Sequence, residues 1–353
     1  MGEFDLIARH FKRPAVALNP AVKLGIGDDC ALLRPSPGMQ LAVSTDMLVA
    51  GRHFFEDVDP HALGHKALAV NLSDLAASGA RPLAFTLAMS LPEANEAWLT
   101  AFSKGLFELA DTHGCSLMGG DTTRGPLNIC ITVFGEVPTG LALLRSGAQA
   151  GDDIYVSGTL GDARLALEVM LSVRGQGKGH GHGQAGQMQA PHLPPAVLAQ
   201  ARERLERPTP RVGLGMALRG IANAALDVSD GLAGDLPHIL QASGVGASVN
   251  VDDALDLIAA KRHHAWPAAG FDAFFSAQDR QRWVLSGGDD YELLFTASPS
   301  QQAAVQAAAQ SAGVPVTRIG RIEAQAGLRW VDQQGQPCAI EARSFDHFSA
   351  PGP

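Results

Sequence analysis

Apolar and polar positions alternate along the chain in blocks that predict a mixed helix and strand protein. Leu41 to Val49 is apolar except at Ser44-Thr45-Asp46, the pattern of a strand that carries polar groups at one place. Between Pro60 and Gly79 the residues Leu63, Ala67, Val70 and Ala77 fall near helical spacing, with Pro at the start and Gly at the end as helix punctuation. Phe85 to Leu91 and Leu127 to Val137 predict strands, with a helix over Glu93 to His113 packed between them. A second alternation begins after Ser146-Gly147-Ala148, with a strand at Asp153 to Ser157 and a helix at Asp162 to Leu171. It continues with helices at Val212 to Ile221 and Leu232 to Ser243 and strands at Ala224 to Val228 and Ala247 to Val251. Glu292 to Thr296 and Val316 to Ile322 as strands, with a helix over Gln301 to Ala312 between them, complete it. The fold class this predicts is α+β or α/β, divided into two domains at 1–149 and 150–353.

One segment breaks the pattern. Residues 175–194 are rich in Gly, His and Gln and hold too little apolar surface to offset the entropy of ordering, which predicts a disordered insertion. The whole chain, 353 residues with 46% apolar content, is otherwise that of a folded protein with sizeable cores. Its 27 Lys and Arg against 36 Asp and Glu leave a net charge of −9 with no long cationic run, which argues against nucleic acid as the main partner. An anionic substrate therefore needs local help, most simply a metal ion. The four cysteines, Cys30, Cys115, Cys130 and Cys338, are scattered without a metal-binding spacing and read as reduced thiols. No basic region precedes an apolar run near Met1, Leu6 stands where a myristoylation signal needs Ser or Thr, and no segment reaches the ~18 continuous apolar residues of a membrane span. A soluble cytoplasmic protein is the expectation.

The chemistry lies in aspartates flanked by small residues. They are Asp28 and Asp29 in Gly-Ile-Gly-Asp-Asp, Asp46 in Ser-Thr-Asp, Asp74 in Asn-Leu-Ser-Asp and Asp121 in Gly-Gly-Asp-Thr-Thr. Asp227 and Asp230 in Asp-Val-Ser-Asp-Gly, and Asp289 and Asp290 in Ser-Gly-Gly-Asp-Asp-Tyr, complete the set. Singly, each reads as a turn or helix-cap residue. Gathered together they would repel one another strongly without a cation, and several such carboxylates suit Mg²⁺, which takes oxygen ligands and shares them with substrate phosphates. Gly119-Gly120 before Asp121 offers backbone that can approach a phosphate, or simply a turn. Arg52 and His53 follow the Ser-Thr-Asp strand and read equally as contacts to an anionic ligand or as a solvated loop. The chain has no Walker-type phosphate loop, dinucleotide-binding glycine fingerprint, protein-kinase signature or nucleophile elbow.

Taken in order, these motifs resemble the thiamine-monophosphate kinase family, within the superfamily that includes aminoimidazole ribonucleotide synthetase and selenophosphate synthetase. The resemblance rests on 25–33, 44–46, 65–80, 119–125, 145–148, 151–158, 226–231, 286–293 and 345–348, and only 175–194 has no counterpart. It implies a two-domain aminoimidazole ribonucleotide synthetase-like fold, with an N-terminal sheet that forms a homodimer, a C-terminal α/β domain and the site between the domains. The implied reaction is ATP- and Mg²⁺-dependent transfer of the γ-phosphoryl group to thiamine monophosphate, giving thiamine diphosphate. By motif position Asp29, Ser44, Thr45, Asp46, Asp74, Asp121, Asp227 and Asp230 would be metal ligands for several Mg²⁺ ions. Gly120, Asp121, Arg145 and Ser229 would contact ATP, with Asp121 and Arg145 stabilising charge and no general base assigned. His53, Asp289 and Phe345 would contact the thiamine substrate. Asp289 stands where the family more often has Glu, and Phe345 where Tyr or Trp is usual, which keeps an aromatic face for stacking. Selenophosphate synthesis fits less well because the reactive cysteine of an N-terminal glycine-rich segment is missing, and a non-catalytic nucleotide binder is the alternative of a different class.

Overall fold

The computed structural model describes residues 2–14, 18–175, 193–268 and 270–340. Phe345, the C-terminal motif that contains it, and residues 176–192 of the Gly/His-rich stretch lie outside the described residues. The chain divides into two compact units, one of residues 1–143 with 207–220 and the other of 144–206 with 221–353.

The first unit is built on a four-stranded sheet in the order β3-β6-β4-β5, with β3 Met39–Val49, β4 Arg81–Leu91, β5 Ser116–Arg124 and β6 Asn128–Pro138. β4 and β5 run parallel, joined by helix α3, Glu96–Thr112, whereas β6 is antiparallel to both β3 and β4. Along β6 the side chains alternate, with Ile129, Ile131 and Val133 buried towards helix α2, Pro60–Ala77. That alternation is the period-two pattern of a half-covered strand. α2 begins where Asp59 accepts hydrogen bonds from the backbone N–H groups of His61 and Ala62 and Pro60 takes the first helical position. Leu68, Leu72 and Leu75 then sit fully buried against the sheet, each worth about 2 kcal/mol of transfer free energy. α3 lies close against α2 because both helices put glycine at the crossing. A Cβ on Gly64 would stand 2.0 Å from the Phe102 carbonyl oxygen, and one on Gly105 would stand 1.9 Å from that of His61. A short helix α1, Glu3–His10, and a two-stranded ribbon, β1 Val22–Leu24 with β2 Leu32–Leu33, complete the unit.

The second unit holds a six-stranded sheet in the order β12-β9-β11-β7-β10-β8. Its strands are β7 Asp153–Ser157, β8 Ala224–Val228, β9 Gly246–Asn250, β10 Glu292–Ala297, β11 Val316–Glu323 and β12 Gly327–Val331. Only β12 and β9 are parallel neighbours. The helices of this unit are α4 Asp162–Val173, α5 Pro195–Glu206, α7 Leu232–Ser243, α8 Val251–Leu255, α9 Ala277–Val284 and α10 Gln302–Ala312, while α6, Val212–Ala217, belongs to the first unit. Strands β7, β8 and β10 are buried along their whole length, and Tyr155 stacks on Phe295 at 5.3 Å within that layer.

The predicted mixed architecture is present, and nearly every predicted element lies within a few residues of its expected place. The units divide at Leu143/Leu144, six residues before the expected 149/150, and the chain also returns to the first unit over 207–220. There Gly215 of α6 packs on α2 so closely that a Cβ would sit 1.9 Å from the Ala76 carbonyl oxygen. The helix expected over Val212 to Ile221 ends at Ala217, and the chain turns at Gly220 with φ 71°. α3 packs against α2 rather than lying between the strands.

Candidate active site

In the first unit the polar interruption of β3 faces α2. Ser44 donates its hydroxyl to the Asp74 carboxylate at 2.5 Å, and the backbone N–H of Asp46 donates to Oδ1 of Asn71 at 3.1 Å. Asn71, 1% exposed, is held in turn by donating Nδ2–H to the Ala67 carbonyl at 3.0 Å. Ser44 and Asp46 lie two apart on a strand, and Asn71 and Asp74 lie three apart on a helix, so both pairs present one face. The Asp46 carboxylate also acts on Cys130, whose thiol is pushed upward by burial and by that negative charge.

Not every proposed ligand joins this cluster. Thr45 points to the opposite face of β3, where its hydroxyl pairs with that of Thr132 at 2.9 Å. Asp121 is exposed on β5 opposite Ala88, in a cross-strand row that continues through Cys130 to Met47 on that same open face. Asp29 lies in the exposed segment after β1, its N–H accepted by the Asp28 carboxylate at 2.9 Å. Gly119 and Gly120 are not a turn but part of β5. Gly120 has φ 149°, and a Cβ there would meet the Leu87 carbonyl oxygen at 1.8 Å, so the close approach of β4 requires glycine. His53, half-buried in the turn after β3, accepts the Val49 N–H on Nδ1 at 3.0 Å. In the neutral ring this places the proton on Nε2, where it is an N–H donor.

In the second unit the second cluster forms where β8 ends and α7 begins. Asp227 is the buried penultimate residue of β8, and Ser229 and Asp230 follow in the connection to α7. Both backbone N–H groups of that connection, Ser229 at 3.1 Å and Asp230 at 3.0 Å, donate to one oxygen of Asp235 in the first turns of α7. Burial raises the Asp235 carboxyl to about 7, with the Asp230 charge adding to the rise and the bonds from the two amides and the charge of Arg145 opposing it. Arg145 itself is exposed, in a loop pinned by Ser243, which accepts the N–H groups of Gly147 and Ala148 at 3.1 Å each.

The 286–291 loop lies against this connection. The Asp289 N–H donates to the Ser229 carbonyl at 2.9 Å and the Tyr291 N–H to that of Val228 at 2.8 Å. Asp289 and Tyr291 have φ of 68° and 52°, the only positive values at non-glycine residues among the described residues. Such strain of ~1–3 kcal/mol each persists only where the surroundings impose it. Here the anchor is Asp290, fully buried, whose two carboxylate oxygens accept the Gly161 N–H at 3.0 Å each. Burial holds its carboxyl well above the usual range. The next acid, Glu292, is equally buried but paired, accepting from Arg204 at 2.8 Å and from the Ser157 hydroxyl at 2.6 Å. Asn71 and Asp290 stand inside the aspartate motifs, whereas Asp235 carries no signal in the sequence beyond its nearness to one of them.

Each of the two donor clusters suits Mg²⁺. Ser44, Asp46 and Asp74 in one unit, and Asp227 and Asp230 in the other, offer only hard oxygens. Among the described residues no three His, Cys, Asp or Glu side chains form a ready-made metal cage. An ion that completes its shell with water and nucleotide phosphate does not require one.

The chain matches the family described as AIR synthase related protein, N-terminal domain, over residues 27–137, and AIR synthase related protein, C-terminal domain, over 149–332. It is 46% identical over 353 residues to the thiamine-monophosphate kinase of Salmonella typhimurium and 44% identical over 351 residues to that of Escherichia coli K12, covering 99% of both chains in each case. The crystal structure of thiamine-monophosphate kinase from Stenotrophomonas maltophilia K279a matches with a TM-score of 0.76 and 44% identity, over 95% of this chain and 96% of that one. A structure of AaThiL complexed with AMPPCP and TMP matches with a TM-score of 0.68 and 27% identity, over 89% of each chain. With this likeness running through both units and nearly every residue, the chain belongs to the thiamine-monophosphate kinase family.

Proposed function

We propose that this chain transfers the γ-phosphoryl group of ATP to a phosphate oxygen of thiamine monophosphate, releasing ADP and thiamine diphosphate. The observation that carries the reading is identity of 44–46% to thiamine-monophosphate kinases over 99% of the chain. The AaThiL structure with AMPPCP and TMP supports the same pair of substrates. When bound, Mg²⁺ would neutralise the phosphates and hold donor and acceptor oxygens in line.

The protein's part is placement. Ser44, Asp46, Asp74, Asp227 and Asp230, with Asp29 and Asp121, are the proposed side-chain oxygens for the metal ions, and Thr45, its hydroxyl engaged by Thr132, stands apart from them. Gly120, Asp121, Arg145 and Ser229 are the proposed ATP contacts. Arg145 offers a permanent charge and paired N–H donors to the transferring group. His53, through Nε2–H, together with Asp289 and Phe345, is the proposed contact to thiamine monophosphate. The acceptor phosphate is already ionised near neutral pH, so no side chain is needed as a base.

The reading extends to a homodimer in the cytoplasm. Support for the dimer comes from the open face of the first unit's sheet, where Leu41, Val43 and Met47 are 46%, 57% and 53% exposed in one row along β3. Exposed apolar side chains on one sheet face, here with Thr45 between Val43 and Met47, suit an association surface, and a second copy presents the same face. No helix among the described residues is long and apolar enough to cross a membrane, and the four cysteines are free thiols, as a reducing compartment maintains them.

The test is a chromatographic assay of purified protein with ATP, Mg²⁺ and thiamine monophosphate, with thiamine as control acceptor. Thiamine diphosphate and ADP in equal amounts are expected. ADP without thiamine diphosphate would overturn the substrate, and neither product would leave a nucleotide-binding protein without turnover.

A further inference from the structure

The carboxylate of Asp235 belongs to no motif that was assigned a role, yet it is 5% exposed and one of its oxygens takes both amides of the Ser229-Asp230 segment, at 3.1 and 3.0 Å. On the other side of the same segment, the Ser229 carbonyl accepts the Asp289 N–H at 2.9 Å. The peptide between Ser229 and Asp230 is thus held at both edges, its N–H by a helix side chain and its carbonyl by the loop that carries Asp289. A buried amide left unpaired is unfavourable, so a segment without both bonds would sample other conformations.

We infer that Asp235 is a positioning residue that sets the orientation of Ser229 and Asp230 towards Mg·ATP. The inference rests on the phosphotransferase reading above and adds a residue to it. Outer-sphere partners of this kind typically change metal affinity by ~10–100-fold when removed. What the segment needs from Asp235 is an oxygen acceptor at one point in space. Asparagine supplies that acceptor through Oδ1, alanine removes it, and glutamate carries it one methylene too far.

The experiment is calorimetric titration of Mg·ADP into the full-length protein, paired with KM values for Mg·ATP and thiamine monophosphate and with circular-dichroism melting. For Asp235→Ala, the Kd for Mg·ADP and the KM for Mg·ATP are expected to rise at least tenfold, with the KM for thiamine monophosphate changed less than threefold. Asp235→Asn is expected to stay within threefold of wild type on every measure. Should Asp235→Ala fail to fold, Asp235→Glu serves in its place and is expected to show the same selective loss. Equal Mg·ADP affinity in wild type and in the folded alanine or glutamate variant would overturn the inference. A loss in Asp235→Asn as large as in Asp235→Ala would also overturn it, since the acceptor would then not be what matters. Wild type that binds no Mg·ADP would instead overturn the phosphotransferase reading on which the inference rests.

Discussion

Gly120 separates two demands that a Gly-Gly-Asp motif can serve, because the strand geometry makes its own claim on the residue. An alanine Cβ at this position would lie 1.8 Å from the Leu87 carbonyl oxygen and 2.9 Å from the Leu87 nitrogen. Restoring an ordinary non-bonded separation of ~3.5 Å requires a shift of well over 1 Å, which the hydrogen-bonded β4 and β5 cannot make without parting. Overpacking of this kind costs ~1–3 kcal/mol, and the φ of 149° adds strain for any residue with a side chain. Gly120→Ala is therefore expected to destabilise the first unit by about 3 kcal/mol, a fall of roughly 6–12 °C in its melting transition. Gly119→Ala is the internal control, since its Cβ would meet only Thr86 Cγ2 at 3.9 Å, an ordinary contact. Thermal melting by circular dichroism, with urea titration as a second probe, reads both variants. A Gly120→Ala protein that melts within ~1 °C of wild type would refute the close-approach argument. If only its KM for ATP rose, the glycine would be needed for phosphate alone.

Asp46→Asn and Asp74→Asn are each expected to lower kcat at least ~10-fold with melting nearly unchanged, and near-normal turnover at saturating Mg²⁺ would remove them from the ligand set. Arg204→Met leaves the buried Glu292 carboxylate without its cation and is expected to cost ~3–5 kcal/mol by urea unfolding, most of it recovered in the double variant with Glu292→Leu. Burial keeps Asp290 protonated in the folded chain at pH values where the unfolded chain has lost the proton, so this group's stabilisation is complete below the usual carboxylate range and declines as pH rises. Asp290→Asn should accordingly melt above wild type at pH 8, with a flatter dependence between pH 4 and 8, and a difference independent of pH would refute the assignment. Val43→Glu on the open face of β3 should convert the proposed dimer to monomer in sedimentation, and an unchanged sedimentation coefficient would move the proposed association surface elsewhere.

Much of the fold was legible because each helix and strand that buries one face writes that face into its own residues. The β6 alternation of Ile129, Ile131 and Val133, and the cap and proline at the start of α2, are local signals. β5 escaped because its polar half, Gly-Gly-Asp-Thr-Thr-Arg, lies on an exposed strand and offers no apolar period to read. β12, five residues with none fully buried, escaped because its Leu-Arg-Trp alternation is too short a period to mark a strand. The second crossing of the chain over 207–220 was invisible because what ties it to α2 is the absence of a side chain at Gly215, a contact that hydropathy does not register.

The aspartates that form the candidate site were legible by type and spacing, but the direction of each side chain was not. Ser44, Thr45 and Asp46 are consecutive, yet strand alternation sends Thr45 to Thr132 while its neighbours meet α2. Asp289 and Asp290 are consecutive as well, and here the backbone itself reverses. With φ of 68° at Asp289 and 52° at Tyr291, the chain turns one carboxylate into the half-exposed surface and drives the next to complete burial on the Gly161 amide. Glycine would adopt those angles without strain, and two glycines stand immediately before them, so the strain is not a want of flexible residues. It is held by the amides of Asp289 and Tyr291 on the carbonyls of Ser229 and Val228, bonds between segments some 60 residues apart in sequence. The same bonds join the loop of the proposed substrate contact to the segment that Asp235 holds, but that loop keeps its own anchor in Asp290 on the Gly161 amide, so Asp289 stays placed where Ser229 and Asp230 depend on Asp235, by tertiary hydrogen bonds that no local pattern encodes.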